Sequence, residues 1–473
     1  MEFHVSLIGR KDLSGEIYRQ VRRAIADGHL RRGDCLPPSR NLARSLGVSR
    51  MTVTVAYDRL VGEGFLVTRV GAGTYVSKHV APARSEFRRN RPEGMIRPRA
   101  LWESIPLSRA FASPAKFDFR TGLPDASLFP HETWRRLIAR EPNWEAVSAG
   151  VYAHAAGHQG LREAIARHIG ISRGVQASAD DITVTSGAQQ ALDLVARALL
   201  GPGDLVAVED PGYLPPSFLF KSLGALVKGV PVDEEGIFVD ALPRQTRLVY
   251  VTPSHQYPLG VTMSLSRRLA LLDWAARNDA AIVEDDYDTE FRFGGRPMEP
   301  LQTLDRSGRV IYIGSFSKSL LPTLRLGFVV TPRCCTSAVH KAKYVADWHT
   351  SMLVQSVLAR FIDDGGFARH IRKVGRVYTE RHEMITRILA RDFTNHLRVV
   401  PSTTGLHITT LTPSLSARKI GTVVRHASDR GVQVQELSRF AIDAPPRSGL
   451  VLGYGAVLTA RIEEGLRQLR SCF

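Results

Sequence analysis

Between Ile311 and Val330 the chain reads IYIGSFSKSLLPTLRLGFVV. Two apolar runs enclose a turn of small hydroxylated residues that holds one lysine. Each run is short and bounded by turn residues, which predicts two buried strands. Lys318 then stands on a turn between buried segments, where desolvation disfavours the ammonium and frees the amine to attack a carbonyl. Ser315, Ser317 and Arg325 add two hydroxyls and a guanidinium, a set suited to phosphate. A Schiff-base lysine beside a phosphate cradle is what pyridoxal phosphate requires. The competing reading is a surface turn with one solvated lysine.

Upstream, Ala280 to Phe293 reads AAIVEDDYDTEFRF. An apolar run leading into three acids predicts a buried parallel strand with carboxylates at its carboxyl end, the edge where open α/β sheets bind ligands. A pyridinium nitrogen needs an ionised carboxylate, and Asp285 is assigned that role, with Tyr287 donating to the ring's phenolic oxygen. Lys318, Asp285 and Tyr287 are the candidate catalytic group. A solvated or metal-binding cluster of Glu284, Asp285 and Asp286 is the alternative. It leaves the lysine turn unexplained, and no metal centre is expected.

The phosphate has a second support. Asp181-Ile-Thr-Val-Thr-Ser predicts a strand and Gly187-Ala-Gln-Gln-Ala-Leu the start of a helix. Ser186, Gly187 and Ala188 then sit at a helix N-terminus, where backbone N–H groups and the macrodipole favour an anion. Strands and helices alternating from about 180 to 330 predict a mainly parallel sheet covered on both faces. One helix is expected over Val339–Ile362 and a long one over Gly365–Arg391, followed by a smaller α+β part.

The N-terminal end is of a different kind. A helix from Leu13 with Ser14 as its cap, a second from Arg40 to Leu46 capped by Ser39, and a third from Arg50 to Gly62 capped by Ser49 predict a helix-turn-helix. Strand-like runs around Gly71-Ala72-Gly73 predict a hairpin wing. A bare helical bundle is the alternative. Against it, the third helix begins with Arg50, Thr52 and Thr54 between buried valines, and recognition helices contact DNA with their N-terminal residues. Residues 78–115 are rich in proline and arginine and lose apolar periodicity, the signature of a linker. Trp102 and Leu107 are the positions expected to pack on a neighbour.

In this order, LPPSRNLARSLGVSRMTVTVAY, TSGAQQALDL, EDPGY, TPSHQYPLG, EDDYDTEF and GSFSKSLLPTLRLG resemble the MocR/GabR group of bacterial regulators. In that group a GntR-type winged helix is fused to a fold-type I, aminotransferase-like domain. The resemblance covers nearly the whole chain. It implies a winged helix over 1–77, a linker over 78–115 and a pyridoxal-phosphate domain over 116–473, large part to about 355 and small part beyond. It implies DNA contacts from Arg40, Ser49, Arg50 and Thr52, with Gly71 and Gly73 entering the minor groove. Thr54 stands where many GntR proteins carry arginine, so readout there is expected to differ. The resemblance also implies that Tyr213 stacks on the cofactor ring and that Tyr152, in YAHAAGHQGLR, reaches the phosphate of the other subunit of a head-to-tail homodimer. Where aminotransferases place an asparagine against the phenolic oxygen, this chain has Tyr257, with His255 nearby. Which of the two takes that contact stays open.

Two readings remain: a regulator sensing pyridoxal phosphate or an amine through Lys318, and an active aminotransferase with an appended DNA-binding module. Aminotransferases generally clamp the substrate carboxylate with arginine. Here Gly449 and Pro215 occupy the two positions where relatives carry one, and Arg447 is the nearest substitute. That favours regulation with little turnover. A net charge of +17 over 473 residues fits a polyanionic partner, a double-stranded operator. Cys35, Cys334, Cys335 and Cys472 show no CxxC spacing and read as reduced thiols of a cytosolic protein. No uninterrupted apolar run is long enough to suggest a membrane span.

Overall fold

The computed structural model describes residues 12–69, 71–79, 97–106, 115–140, 151–294 and 298–473. The chain divides into two compact units, Met1–Ala100 and Leu101–Phe473. Much of the expected linker, and Leu107 with it, lies outside the described residues. Trp102 is described, in the short helix Leu101–Ser104, and is 54% exposed rather than packed.

In the first unit, α1 (Leu13–Ala26), α2 (Ser39–Leu46) and α3 (Arg50–Gly62) pack through Ile17, Val21, Val53, Tyr57 and Leu60. Strands β1 (Leu66–Arg69) and β2 (Gly73–Val76) pair antiparallel as the wing. Two expected caps differ. Asp12, not Ser14, caps α1 by accepting from the Gly15 N–H at 3.2 Å. Ser39 is the first residue of α2 rather than its cap, and Pro38 before it makes no side-chain bond. The cap of α3 is as expected: Ser49 Oγ accepts from the Thr52 N–H at 3.1 Å, a bond of about 1 kcal/mol.

The second unit is built on an eight-stranded sheet. Its strands are β3 (Ile182–Thr185), β4 (Leu205–Asp210), β5 (Leu226–Asp233), β6 (Gly236–Ile237), β7 (Thr246–Val251), β8 (Ala281–Asp286), β9 (Val310–Ser315) and β10 (Gly327–Val330). The order is β3-β10-β9-β8-β7-β4-β5-β6. Strands β9, β8, β7, β4 and β5 run parallel, while β10 is antiparallel to both of its neighbours and β6 to β5. The parallel centre reads as unbroken apolar runs because both faces are buried. One cluster, including Leu194, Val208, Tyr250 and Ile313, lies on one face, and another, including Val249, Ile282 and Leu271, on the other.

Two helices replace the single one expected over 339–362. α4 (Arg333–Asp347) ends where Trp348 takes a φ of 63°, and α5 (Met352–Asp363) follows. Without glycine or proline the break carries no usual sequence signal, but the Thr350-Ser351 pair favours helix ends over interiors. α6 (Gly366–Asp392) then runs to a four-stranded antiparallel sheet of β11 (Arg398–Val399), β12 (His407–Leu411), β13 (Gln435–Glu436) and β14 (Gly449–Gly453), ordered β11-β12-β14-β13.

Arg381 on α6 is 3% exposed and ties these parts together. It donates to Asp125 Oδ2 at 2.5 Å, to the Gly455 carbonyl at 2.7 Å and to Thr459 Oγ1 at 3.1 Å. Removing one partner of a buried pair strands the other charge, so Arg381→Ala should cost about 3–5 kcal/mol. A urea midpoint for the larger unit equal to that of the unaltered protein would show that the bridge contributes little.

Candidate functional site

The site is assembled at the carboxyl ends of the central strands. Side chains alternate along a strand, so the acids ending β8 part company. Glu284 accepts from the Leu301 and Gln302 N–H groups at 2.9 and 3.0 Å. Asp286 accepts from Arg173 Nε at 2.8 Å and the Tyr312 hydroxyl at 2.6 Å. Asp285 is alone on the other side. Its Oδ2 accepts from the Tyr250 hydroxyl at 2.8 Å, while Oδ1 is buried with no partner in the protein. Burial pushes its carboxyl up to about 7, against the opposing pull of the Tyr250 bond. The three acids therefore do not form a joint cluster.

Lys318 Nζ donates to the Gly122 carbonyl at 2.7 Å. Desolvation pulls its ammonium below the ordinary lysine range, and the Asp288 and Asp285 carboxylates only partly offset this. The residues expected to hold a phosphate lie together. Gly327 packs on Gly187 so closely that a Cβ at 327 would lie 2.9 Å from the Gly187 Cα. This contact brings the lysine turn onto the N-terminus of the helix Ala188–Leu199. Arg325 Nη2 donates to the Ser186 carbonyl at 2.6 Å, and Ser315 Oγ accepts from the Ser317 N–H at 3.1 Å. The first-turn N–H groups of such a helix lack internal acceptors.

Tyr213 follows β4, with its ring 38% exposed and edge-on to Tyr257 at 5.5 Å. The Tyr257 hydroxyl is 2.6 Å from Thr121 Oγ1, which itself donates to Gln435 Oε1 at 2.6 Å. Tyr257 is therefore the donor to Thr121, and its proton is engaged there. Tyr287 donates to the His255 carbonyl at 3.0 Å, so its proton is directed at His255. His255 Nδ1 lies 3.0 Å from Asp288 Oδ2, and its Nε2 is buried without a partner.

His255, Asp288 and His407 are the one trio of potential metal ligands grouped closely among the described residues, with ligand atoms within 4.8 Å of one another. Asp288 also accepts from the Leu406 N–H at 3.2 Å, and His407 Nε2 donates to the Pro258 carbonyl at 2.9 Å. These bonds account for the grouping without an ion. Sequence reasoning missed Asp288, Tyr250 and His407. Asp288 adjoins Tyr287 and was within reach, whereas His407 comes from β12 with no sequence signal linking it to the site.

Tyr152 stands apart, 74% exposed and 4.1 Å from the Trp348 ring. Of the two positions expected to lack a carboxylate-binding arginine, Gly449 is sterically closed. A Cβ at Gly449 would collide with the Thr410 carbonyl, so no arginine fits there on this backbone. Arg447 Nη2 is held by the Val232 carbonyl at 2.7 Å, and Pro215 lies in the first turn of the helix Leu214–Ser222.

In the first unit Arg40 and Arg50 are exposed, on α2 and at the start of α3. Ser49 and Thr52 share a hydroxyl contact of 2.8 Å, and Thr54 Oγ1 donates to the Arg50 carbonyl at 3.0 Å. Gly71 and Gly73 lie at the wing tip with φ of 78° and 114°, conformations that suit glycine.

Comparison with known proteins agrees with both halves. Residues 13–76 match the bacterial regulatory proteins of the gntR family, and residues 124–450 match aminotransferase class I and II. A probable rhizopine catabolism regulatory protein, MocR, of Rhizobium meliloti is 36% identical over 97% of this chain and 93% of its own. The pyridoxine biosynthesis transcriptional regulator PdxR of Corynebacterium glutamicum is 32% identical over 93% of this chain and 91% of its own. Among solved structures, the kynurenine aminotransferase of Pyrococcus horikoshii superposes with a TM-score of 0.72 at 30% identity, covering 79% of this chain and 96% of that one. The aminotransferase match implies pyridoxal phosphate as the cofactor, and the described side chains fit it. Asp285 Oδ1 offers a buried, unpartnered acceptor for a ring N–H. A Cβ at Gly187 would come within 3.0 Å of the Arg325 guanidinium, so only glycine leaves the cradle clear.

The raised carboxyl of Asp285 sets a pH dependence in the cofactor-free protein. A folded-state value near 7, above the unfolded one, means the native state holds the extra proton between about pH 4 and 7. Stability from this group is complete below that window and is lost as pH rises through it. Asp285→Asn does not titrate, and its amide oxygen can still accept from Tyr250. The apo variant should thus gain thermal stability over the unaltered protein as pH rises from 5 to 8. A constant difference across that range would show that Asp285 ionises without penalty.

Proposed function

Because the chain belongs to the MocR group of regulators, a GntR-type winged helix joined to an aminotransferase-like domain, we propose that it senses pyridoxal phosphate, or an amine presented to that cofactor, through Lys318. The outcome is read at a double-stranded operator held by the N-terminal unit. One observation supports this reading: Asp285 Oδ1 is buried without a protein partner and the Lys318 amine is desolvated, while Gly449 and Pro215 stand where a carboxylate-binding arginine is expected. When bound, the cofactor supplies an aldehyde and an electron-withdrawing ring. Lys318, whose ammonium is disfavoured by desolvation and which donates to the Gly122 carbonyl, is the nucleophile toward that aldehyde. Asp285 Oδ1 holds the proton on the ring nitrogen. Ser186, Gly187, Ala188, Ser315, Ser317 and Arg325 hold the phosphate, and Tyr213 covers one face of the ring.

Exchange of Lys318 for an incoming amine needs no clamp. Productive transamination does, because the Cα–H bond must be held perpendicular to the ring and misplacement is costly. Gly449, Pro215 and the engaged Arg447 therefore favour regulation over the alternative of an active aminotransferase. The protein then works in the bacterial cytoplasm, at the nucleoid when bound to DNA.

Borohydride reduction followed by mass spectrometry should place a single cofactor adduct on Lys318. Gel shifts on DNA from upstream of its own gene should differ between the apo form, the cofactor-loaded form and Lys318→Ala. Identical binding by all three would remove the cofactor from signalling, and rapid multiple-turnover transamination of a common amino acid would establish the enzyme reading.

Tyr152 supports a head-to-tail homodimer, since a residue 74% exposed in one chain is free to reach into another. Val151, Tyr344, Val345 and Trp348 are also exposed, and large exposed apolar groups of this kind mark association surfaces. Val345→Glu should shift the protein from dimer to monomer in sedimentation at micromolar concentration. A dimer of unchanged strength would place the interface elsewhere.

A further inference from the structure

The start of the recognition helix carries an apolar face that its packing does not use. Along α3, Val53, Ala56, Tyr57 and Leu60 are buried in the core of the first unit. Met51 and Val55 are not: they are 70% and 48% exposed. Residues four apart are neighbours on one face of a helix. One helical turn rises about 5.4 Å and successive base pairs are about 3.4 Å apart, so the pair spans no more than about two base steps.

The hydroxyls of this turn are engaged within the protein. Ser49 Oγ caps the helix and lies 2.8 Å from Thr52 Oγ1. Thr54 gives its proton to the Arg50 carbonyl at 3.0 Å. Further along, Arg59 is held by Glu63 at 3.2 Å and lies over the Tyr18 ring, while Asp58 is exposed. An exposed carboxylate repels phosphate, which confines the contact face to the first turn and a half. Arg40, Arg44 and Arg50 are exposed around that face and supply the charge that a duplex complements. What remains to meet base edges is Arg50 and an apolar patch.

In the major groove the C5 methyl of thymine is the apolar group that bases present. We propose that Met51 and Val55 recognise thymine methyl groups, so that the operator half-site carries thymines beneath them. This replaces, at the neighbouring Thr54, the arginine-based readout that many GntR proteins use. The inference rests on the DNA-binding reading above, and the test separates the two.

The full-length protein is used to select duplexes from a random-sequence pool. The enriched duplex is then remade with deoxyuridine replacing single thymines of the half-site, which removes only the methyl. Two positions should each lose about fourfold in affinity, the effect of withdrawing one buried methyl-sized group. Met51→Ala and Val55→Ala should each erase the sensitivity at one of them. Both side chains are exposed, so neither change disturbs the core. Equal affinity for the thymine and uracil duplexes, or an enriched half-site without thymine, overturns the methyl readout and leaves DNA binding standing. Failure to enrich any duplex overturns both.

Discussion

A buried carboxylate with one unpartnered oxygen costs about 1–3 kcal/mol for the missing hydrogen bond alone, and the larger unit is arranged to keep Asp285 in that state. The strand that carries it is buried on both faces. Tyr250 from the adjacent strand satisfies one oxygen and leaves the other without a partner in the protein. Glu209 and Glu284, equally deep, are also pushed up to about 7 by burial. Glu284 is tied at both oxygens by backbone donors and Glu209 at one by Thr252, whereas Asp285 has a single tyrosine donor and an unpartnered Oδ1. A protonated ring nitrogen answers that oxygen. A cofactor that brings a ring N–H to this oxygen therefore offsets a cost built into the fold.

The second constraint is the close approach of Gly327 to Gly187. It joins the lysine turn, which ends one strand, to the helix that follows another, and the phosphate residues converge as a consequence. Lys318 sits on the same turn, so the contact that places Ser315, Ser317 and Arg325 also places the amine. In the small sheet β14 pairs antiparallel with β12, and Gly449 comes so close to the Thr410 carbonyl that a side chain there would collide with it.

The N-terminal unit follows the same logic on a smaller scale. Its core is complete without Met51 or Val55, and its caps consume the serine and threonine hydroxyls that a base might otherwise meet. Local helix chemistry and base recognition compete for the same groups at the head of α3. The outcome leaves Arg50, Met51 and Val55 exposed at the head of that helix.

The helices of the wing domain, the alternation of the large unit, Lys318 between its two strands, Asp285 at a strand end and the small C-terminal sheet were all legible in the sequence. Each is written in local periodicity, in punctuation by glycine and proline, or in the polarity of a strand end, and such signals act over a few residues. The break at Trp348 was not legible, because a positive φ at tryptophan has no compositional mark. Nor was the engagement of Tyr257 by Thr121, or of His255 by Asp288 beside His407. Those contacts join residues 136, 33 and more than a hundred positions apart. A side chain declares its chemistry in the sequence, but which of its atoms stays free depends on the partners that tertiary packing brings within about 3 Å. That decided the free oxygen of Asp285, the directed proton of Tyr287 and the absence of room at Gly449.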